Sequence, residues 1–167
     1  MSAETITTAL FLITAVVASA VLINAVYPVI QNMAGTFSSS THQSDVRIRT
    51  DFKIIATYAN TTGTAQVWMK NIGSEQIALS DIQRADVFGG ATGSFEHLAH
   101  TSGSLNNNQW TETFTNAEYD LNGNQYWDSG ETVKVTLKTT LLSMGDKVYF
   151  QFALPGGTWR SIEFTVS

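Results

Sequence analysis

The sequence contains no cysteine. Disulfides, thiolate metal sites and thiol catalysis are therefore excluded, and life outside the cytoplasm is compatible with that lack. Charge is also scarce. Only 14% of residues are charged, and nine Lys and Arg face fourteen Asp and Glu, for a net charge of −5. Globular domains usually carry about a quarter charged residues. An acidic, Lys-poor chain lacks the basic stripe that a phosphate backbone demands, which sets nucleic-acid binding aside. No P-loop, Rossmann glycine pattern or HExxH is present, and no serine sits in a G-x-S-x-G elbow. Nothing in the sequence argues for an enzyme.

What is present begins at the N-terminus. From Thr5 to Thr41 there is not one charged residue. The apolar stretch Ile6 to Ile30 would be about 37 Å long as a helix, enough to cross a hydrocarbon layer of roughly 30 Å. Pro28 lies near its far end, where a helix kinks or finishes. A secretory signal needs a basic start and an apolar run of only about 7–15 residues. Here the start is Met-Ser-Ala-Glu and the run is longer, so Ala18-Ser19-Ala20 is a poor cleavage site and a retained anchor is expected. Small and weakly polar residues recur along the segment. Thr7, Thr14 and Ala18 form one stripe, and Ala15 with Ser19 forms a small-xxx-small pair. Such positions let helices approach closely in lipid, which predicts self-association. The Asn24 amide, at that depth, needs a partner helix or the headgroup region.

Charge does not fix orientation, because no Lys or Arg lies within fifteen residues of Ile30. Arg47 and Arg49 mildly favour a cytoplasmic C-terminal side. The Asn/Thr-rich, Lys-poor remainder favours the outside, as does the single glycosylation sequon Asn60-Thr61-Thr62. The expected organisation is a transmembrane helix over 1–34, a linker over 35–44 and an extracytoplasmic domain over 45–167.

From Val46 the apolar period becomes two. In VRIRTDFKIIATY, Val46, Ile48, Phe52, Ile54 and Tyr58 share one face, and Arg47, Arg49, Asp51 and Lys53 the other, which predicts a half-buried strand. Thr64 to Lys70 alternates again, with Ala65, Val67 and Met69 inward and Trp68 outward. Further strands are expected at Gln76–Leu79, Ala85–Phe88, Ser94–His100, Trp110–Phe114 and Glu131–Thr139. Two more, Lys147–Leu154 and Trp159–Val166, form a hairpin around Pro155-Gly156-Gly157-Thr158. Eight or nine short strands between Gly/Asn/Ser turns predict an all-β, immunoglobulin-like antiparallel β-sandwich after the helix. The charged strand face, Arg47, Arg49 and Asp51, together with outward Trp68, is the candidate partner surface.

DLNGNQYWDSGE, Asp120 to Glu131, has the oxygen spacing of a twelve-residue calcium loop. Asp120, Asn122, Asn124, the Tyr126 carbonyl, Asp128 and Glu131 fall at the ligand positions, for a structural calcium. Gln125 stands where the sharp turn normally takes Gly, so a plain polar turn is the alternative. His97 and His100, three apart on a strand, point to opposite faces and do not converge on a metal.

The opening Ser2-Ala3-Glu4-Thr5-Ile6-Thr7, the uncharged helix, VRIRTDFKII at 46–55 and VWMKNIG at 67–73 resemble the archaellin-like proteins of archaeal motility machinery, relatives of type IV pilins. Within that group the chain is similar to the FlaG-type accessory branch. The resemblance implies a static stator that holds the motor against the cell envelope. It also implies a FlaF-like companion, the S-layer, and the archaellum motor and filament proteins as partners. True archaellins carry a short basic leader, whereas no basic residue precedes Arg47 here, so an uncleaved, single-pass membrane anchor is expected. Two alternatives stay open, a filament-forming archaellin-like subunit and a membrane-tethered binding or adhesion domain.

Overall fold

The computed structural model describes residues 2–114, 118–140 and 142–167, with the side chains of residues 39 and 43 left out. The chain divides into two units, Met1–Ser44 and Asp45–Ser167.

Helix α1 runs from Ala3 to Arg49, with Glu4 in its first turn and Arg47 and Arg49 in its last. Both suit the helix dipole. Its hydroxyl side chains satisfy themselves. Thr7 donates to the Ala3 carbonyl at 2.9 Å, Thr14 to Leu10 at 2.7 Å and Ser19 to Ala15 at 2.8 Å. Bonded back in this way, they present small and nearly apolar surface, which is what a lipid-facing helix tolerates. The segment expected as a linker, 35–44, is helical, and so is 46–49, where alternation predicted a strand. The hydroxyls of this polar run make the same bonds, Thr36 to Asn32 and Thr41 to Phe37, both at 2.8 Å. No proline interrupts the run, and a single Gly costs a helix only about 1 kcal/mol. Four residues of V-R-I-R fit either period; the backbone ladder already in place decides for the helix.

In the second unit the strands are β1 Phe52–Ala59, β2 Thr64–Asn71, β3 Ile77–Ala78, β4 Asp86–Ala91 and β5 Ser94–His100. They continue as β6 Gln109–Thr113, β7 Tyr126–Trp127, β8 Thr132–Lys138, β9 Lys147–Ala153 and β10 Trp159–Thr165. A short helix α2, Leu79–Gln83, follows β3. Eight strands are ordered β1-β2-β8-β6-β5-β4-β9-β10, and β3 pairs separately with β7. All pairings are antiparallel except β5 with β6. The sheet curls on itself until its two edges come together, and the Ser167 amide donates to the Ala59 carbonyl at 3.1 Å. The sandwich is thus nearly a barrel.

The alternation expected for β2 and β8 is realised. Ala65, Val67, Met69, Val133, Val135 and Leu137 are all fully buried. Phe152 meets Phe52 and Trp110 edge-on, at 5.7 and 6.0 Å between ring centres, which is a favoured aromatic geometry. The face expected for β1 holds only in its first half. Ile54 pairs with Met69 and Ala56 with Trp68, so Ile55 is one residue too many and forms a bulge. Beyond it the faces exchange. Ala59 is buried, while Tyr58, expected on the face of Phe52, is turned out.

Phe152→Ala empties the point where three rings meet and is expected to cost the fold about 3–5 kcal/mol. Denaturant unfolding followed by tryptophan fluorescence in detergent measures it, and a cost near zero would contradict this account of the core.

Candidate functional site

Helix α1 ends against a turn. Its last carbonyls have no partner within the helix, and such groups must find donors elsewhere. The Arg49 carbonyl accepts the amides of Ser74 at 3.0 Å and Glu75 at 3.2 Å, and the Asp51 carbonyl accepts those of Ile72 and Gly73. Thr50 closes the last turn, giving both its amide and its hydroxyl to the Val46 carbonyl. Gly73 lets the backbones approach. A Cβ there would lie 2.3 Å from the Arg49 carbonyl oxygen. Arg49 is further held by Ser74, Asp45 and Glu75.

Beside this junction lies an open cleft of about 620 Å³, lined by Arg47, Ile48, Thr50 and Asp51 and by the β9–β10 turn with the start of β10. Asp51 pairs with Arg160, whose guanidinium also lies 5.9 Å over the Phe52 ring. The Arg47 guanidinium passes over Gly157, 3.5 Å from where a Cβ would stand. Among the described residues Arg47 has no ion pair or hydrogen bond. Ile48 is 82% exposed and Trp159 is 53% exposed. An unpaired arginine, an accessible indole and an uncovered aliphatic side chain within one concavity are the elements that anchor protein interfaces.

The sequence named part of this site. Arg47 and Asp51 belong to it, but the two arginines stand on a helix turn and not on a strand face. Trp68 lies elsewhere, half-buried on β2 and packed against the core cluster. Trp159 takes its place. The only hint was position, because Trp159 directly follows the turn Pro155–Thr158.

The loop Asp120–Glu131 folds on its own hydrogen bonds. The Asp120 carboxylate accepts the amides of Gly123 and Gln125, and Glu131 accepts those of Leu121 and Asp128. The side-chain oxygens of Asn122 and Asn124 accept the amides two residues on, while their amide nitrogens donate to one Asp128 oxygen at 2.6 and 2.9 Å. Gln125, at the position that usually takes Gly, adopts φ 63° all the same. Tyr126 enters β7. Among the described residues no three His, Cys, Asp or Glu side chains are close enough to share an ion. The amide of Asn122, then those of Asn124 and Gln76, hold the Asp128 carboxyl below the usual carboxylate range, against an opposing desolvation. His97 and His100 do point apart. The first stacks on Phe88 and bonds Asp86; the second packs on Trp110 and bonds Glu112.

Residues 2–164 match the archaeal-type flagellin family. The chain belongs to that family. It is 27% identical over 143 residues to an uncharacterised protein of Archaeoglobus fulgidus, covering 83% of this chain and 82% of the relative. Its fold is similar to the archaellum periplasmic stator protein FlaG from Sulfolobus acidocaldarius, at TM-score 0.55 and 22% identity, over 69% of this chain and 99% of the other. It is likewise similar to a chain of the FlaF–FlaG stator complex from that organism, at TM-score 0.54 and 22% identity, over 68% and 87%.

Two outcomes are expected. Gly73→Ala forces the helix end and the turn apart and should cost about 1–3 kcal/mol in an unfolding titration. The lowered carboxyl of Asp128 makes the loop's contribution complete above the ordinary aspartate range, about pH 4, and lost as pH falls through the lower folded value. Asp128→Asn should remove that acid limb from the pH dependence of melting.

Proposed function

We propose that the chain is a static, non-catalytic component of the archaeal motility machinery, of stator type. The apolar part of α1 anchors it in the cell membrane in a single pass, and the β-domain lies outside the cytoplasm. The observation that carries this reading is the family match across nearly the whole length, helix included, joined to a domain fold like that of FlaG. Support for the anchor comes from α1, which is long and apolar enough to cross a membrane and uncovered by protein. A stator transmits torque through fixed contacts, so its partners are proteins of the FlaF kind, the S-layer, and the archaellum motor and filament.

The cleft of Arg47, Ile48 and Trp159 is the docking point in this reading. Its unpaired cation takes a partner carboxylate, and the indole and Ile48 give it apolar cover. Thr7, Thr14, Ala15, Ala18, Ser19 and Asn24 are where α1 meets other helices in the membrane. The loop Asp120–Glu131 stiffens the far strands. Melting the detergent-solubilised protein with calcium and with chelator tests how: coincident curves leave its hydrogen bonds as the sole tether, and separated curves add the ion.

A filament subunit is the second reading, favoured by the flagellin character of the matched family. Shearing the surface filaments from cells that carry a C-terminally tagged chain separates the two. Retention of the full-length chain in the membrane, with envelope and motor proteins, is expected. Recovery in the sheared filaments would establish the second reading. Within the first, Arg47→Glu is expected to weaken capture of the partner domain at least tenfold, and an unchanged affinity would remove the cleft from the account.

A further inference from the structure

Of the ten asparagines in the chain, one is followed by glycine, Asn122 before Gly123. Glycine has no side chain to screen its backbone amide, so an Asn-Gly pair is where that amide most readily attacks the preceding carboxamide. Asparagine counts among the heat-labile residues. Both residues are exposed in the loop Asp120–Glu131, and no atom lies within 4 Å of where a Gly123 Cβ would stand. Water therefore reaches the pair freely.

Three hydrogen bonds hold the reacting atoms apart. The Gly123 amide donates to Asp120 Oδ1 at 2.8 Å. That carboxylate is buried, and its other oxygen accepts the Gln125 amide at 3.0 Å. A negative charge against the Gly123 amide opposes loss of its proton. The Asn122 carboxamide is tied at both ends. Its Oδ1 accepts the Asn124 amide at 3.1 Å, and its Nδ2 donates to Asp128 at 2.6 Å. The attacking nitrogen must come onto the face of that carboxamide and expel Nδ2. Ring closure therefore requires both ends to be released.

We infer that Asn122 is a deamidation site, latched shut by the Asp120 and Asp128 carboxylates and opened only when the loop lets go. In the reaction the Gly123 nitrogen gives its proton to water and bonds to the Asn122 Cγ. The Cγ–Nδ2 bond breaks, and Nδ2 takes up a proton and leaves as ammonia. Water then adds to either carbonyl of the cyclic imide and opens it to an aspartyl or an isoaspartyl residue. The change is one-way and acts back on the loop. Where Nδ2 donated to Asp128, the aspartyl product sets a second carboxylate, and like charges at that distance repel. Asp128 also holds Asn124 and Gln76, so its displacement frees the loop from the chain ahead of β3. Modification records that the loop has opened and keeps it open.

The test ages the full chain in detergent with chelator and reads conversion at each asparagine by peptide mass spectrometry. Asp120→Ala frees the Gly123 amide and should speed conversion of Asn122 by about tenfold or more, since local opening is no longer required. In denaturant the wild type and the variant should convert at one rate. Equal rates in the native state would overturn the latch, as would a native wild type that converts as fast as the denatured chain. Where tryptophan fluorescence shows Asp120→Ala unfolded, the wild type alone decides. Its conversion should track deuterium exchange of the Gly123 amide at denaturant concentrations below global unfolding, and independence of the two rates sinks the latch. Asn122→Asp installs the aspartyl product directly. It should melt below Asn122→Ala, which removes the bond without adding charge. Melting at or above that of Asn122→Ala would overturn the release of the loop.

Discussion

The end of α1 hands the Arg49 carbonyl, and the residues just after it the Asp51 carbonyl, to the backbone of another turn, and the start of the β-domain is arranged around that handover. Residues 72–75 supply the donors that Arg49 and Asp51 need. That exchange fixes where the helix stops and where β1 starts, with Phe52 entering the core at the first strand position. It also requires Gly73, since any side chain would occupy the space of the Arg49 oxygen. From Phe52 the packing spreads through Phe152 to Trp110, and through Trp127 to the β3–β7 pair. The candidate docking cleft lies on the other side of the same junction. Its residues are placed by the helix end, by β10 and by the Asp51–Arg160 pair between them.

The near-closure of the sheet follows from the same region. β1 and β10 are the two edges, and open edges invite pairing with other chains. Here they are drawn together at both ends, by Arg160 with Asp51 and by Ser167 with Ala59. Strand addition along these edges is thereby discouraged, which in the proposed role leaves partner recognition to side chains. Arg47, unpaired among the described residues, and the accessible Trp159 are the side chains left open beside these edges.

Much of this was legible in the sequence where one rule acted alone. β2, β8 and β9 alternate cleanly between flanking turns, and their apolar faces are the buried ones. Legibility failed where two periods overlapped. V-R-I-R fits a strand as well as a helix end, and the deciding term, an inherited hydrogen-bond ladder, leaves no mark in four residues. The bulge at Ile55 is equally silent, because an extra apolar residue in an apolar run changes no local preference. The β3–β7 pair is two residues long and depends on contacts some fifty positions apart. The candidate site was half visible for the same reason: Arg47 and Asp51 are neighbours in sequence, while Trp159 and Arg160 join them only through the closure of the sheet.

A stator must stay still while the filament turns, and that separates it physically from every rotating part. The most direct test is polarised fluorescence from single tagged molecules in a cell tethered by its filament, with the dye fixed rigidly to the β-domain. In the frame of the cell body, the account predicts a constant polarisation while a filament label is modulated at the rotation frequency. Modulation of the β-domain label at that frequency would place the chain in the rotor and contradict the account.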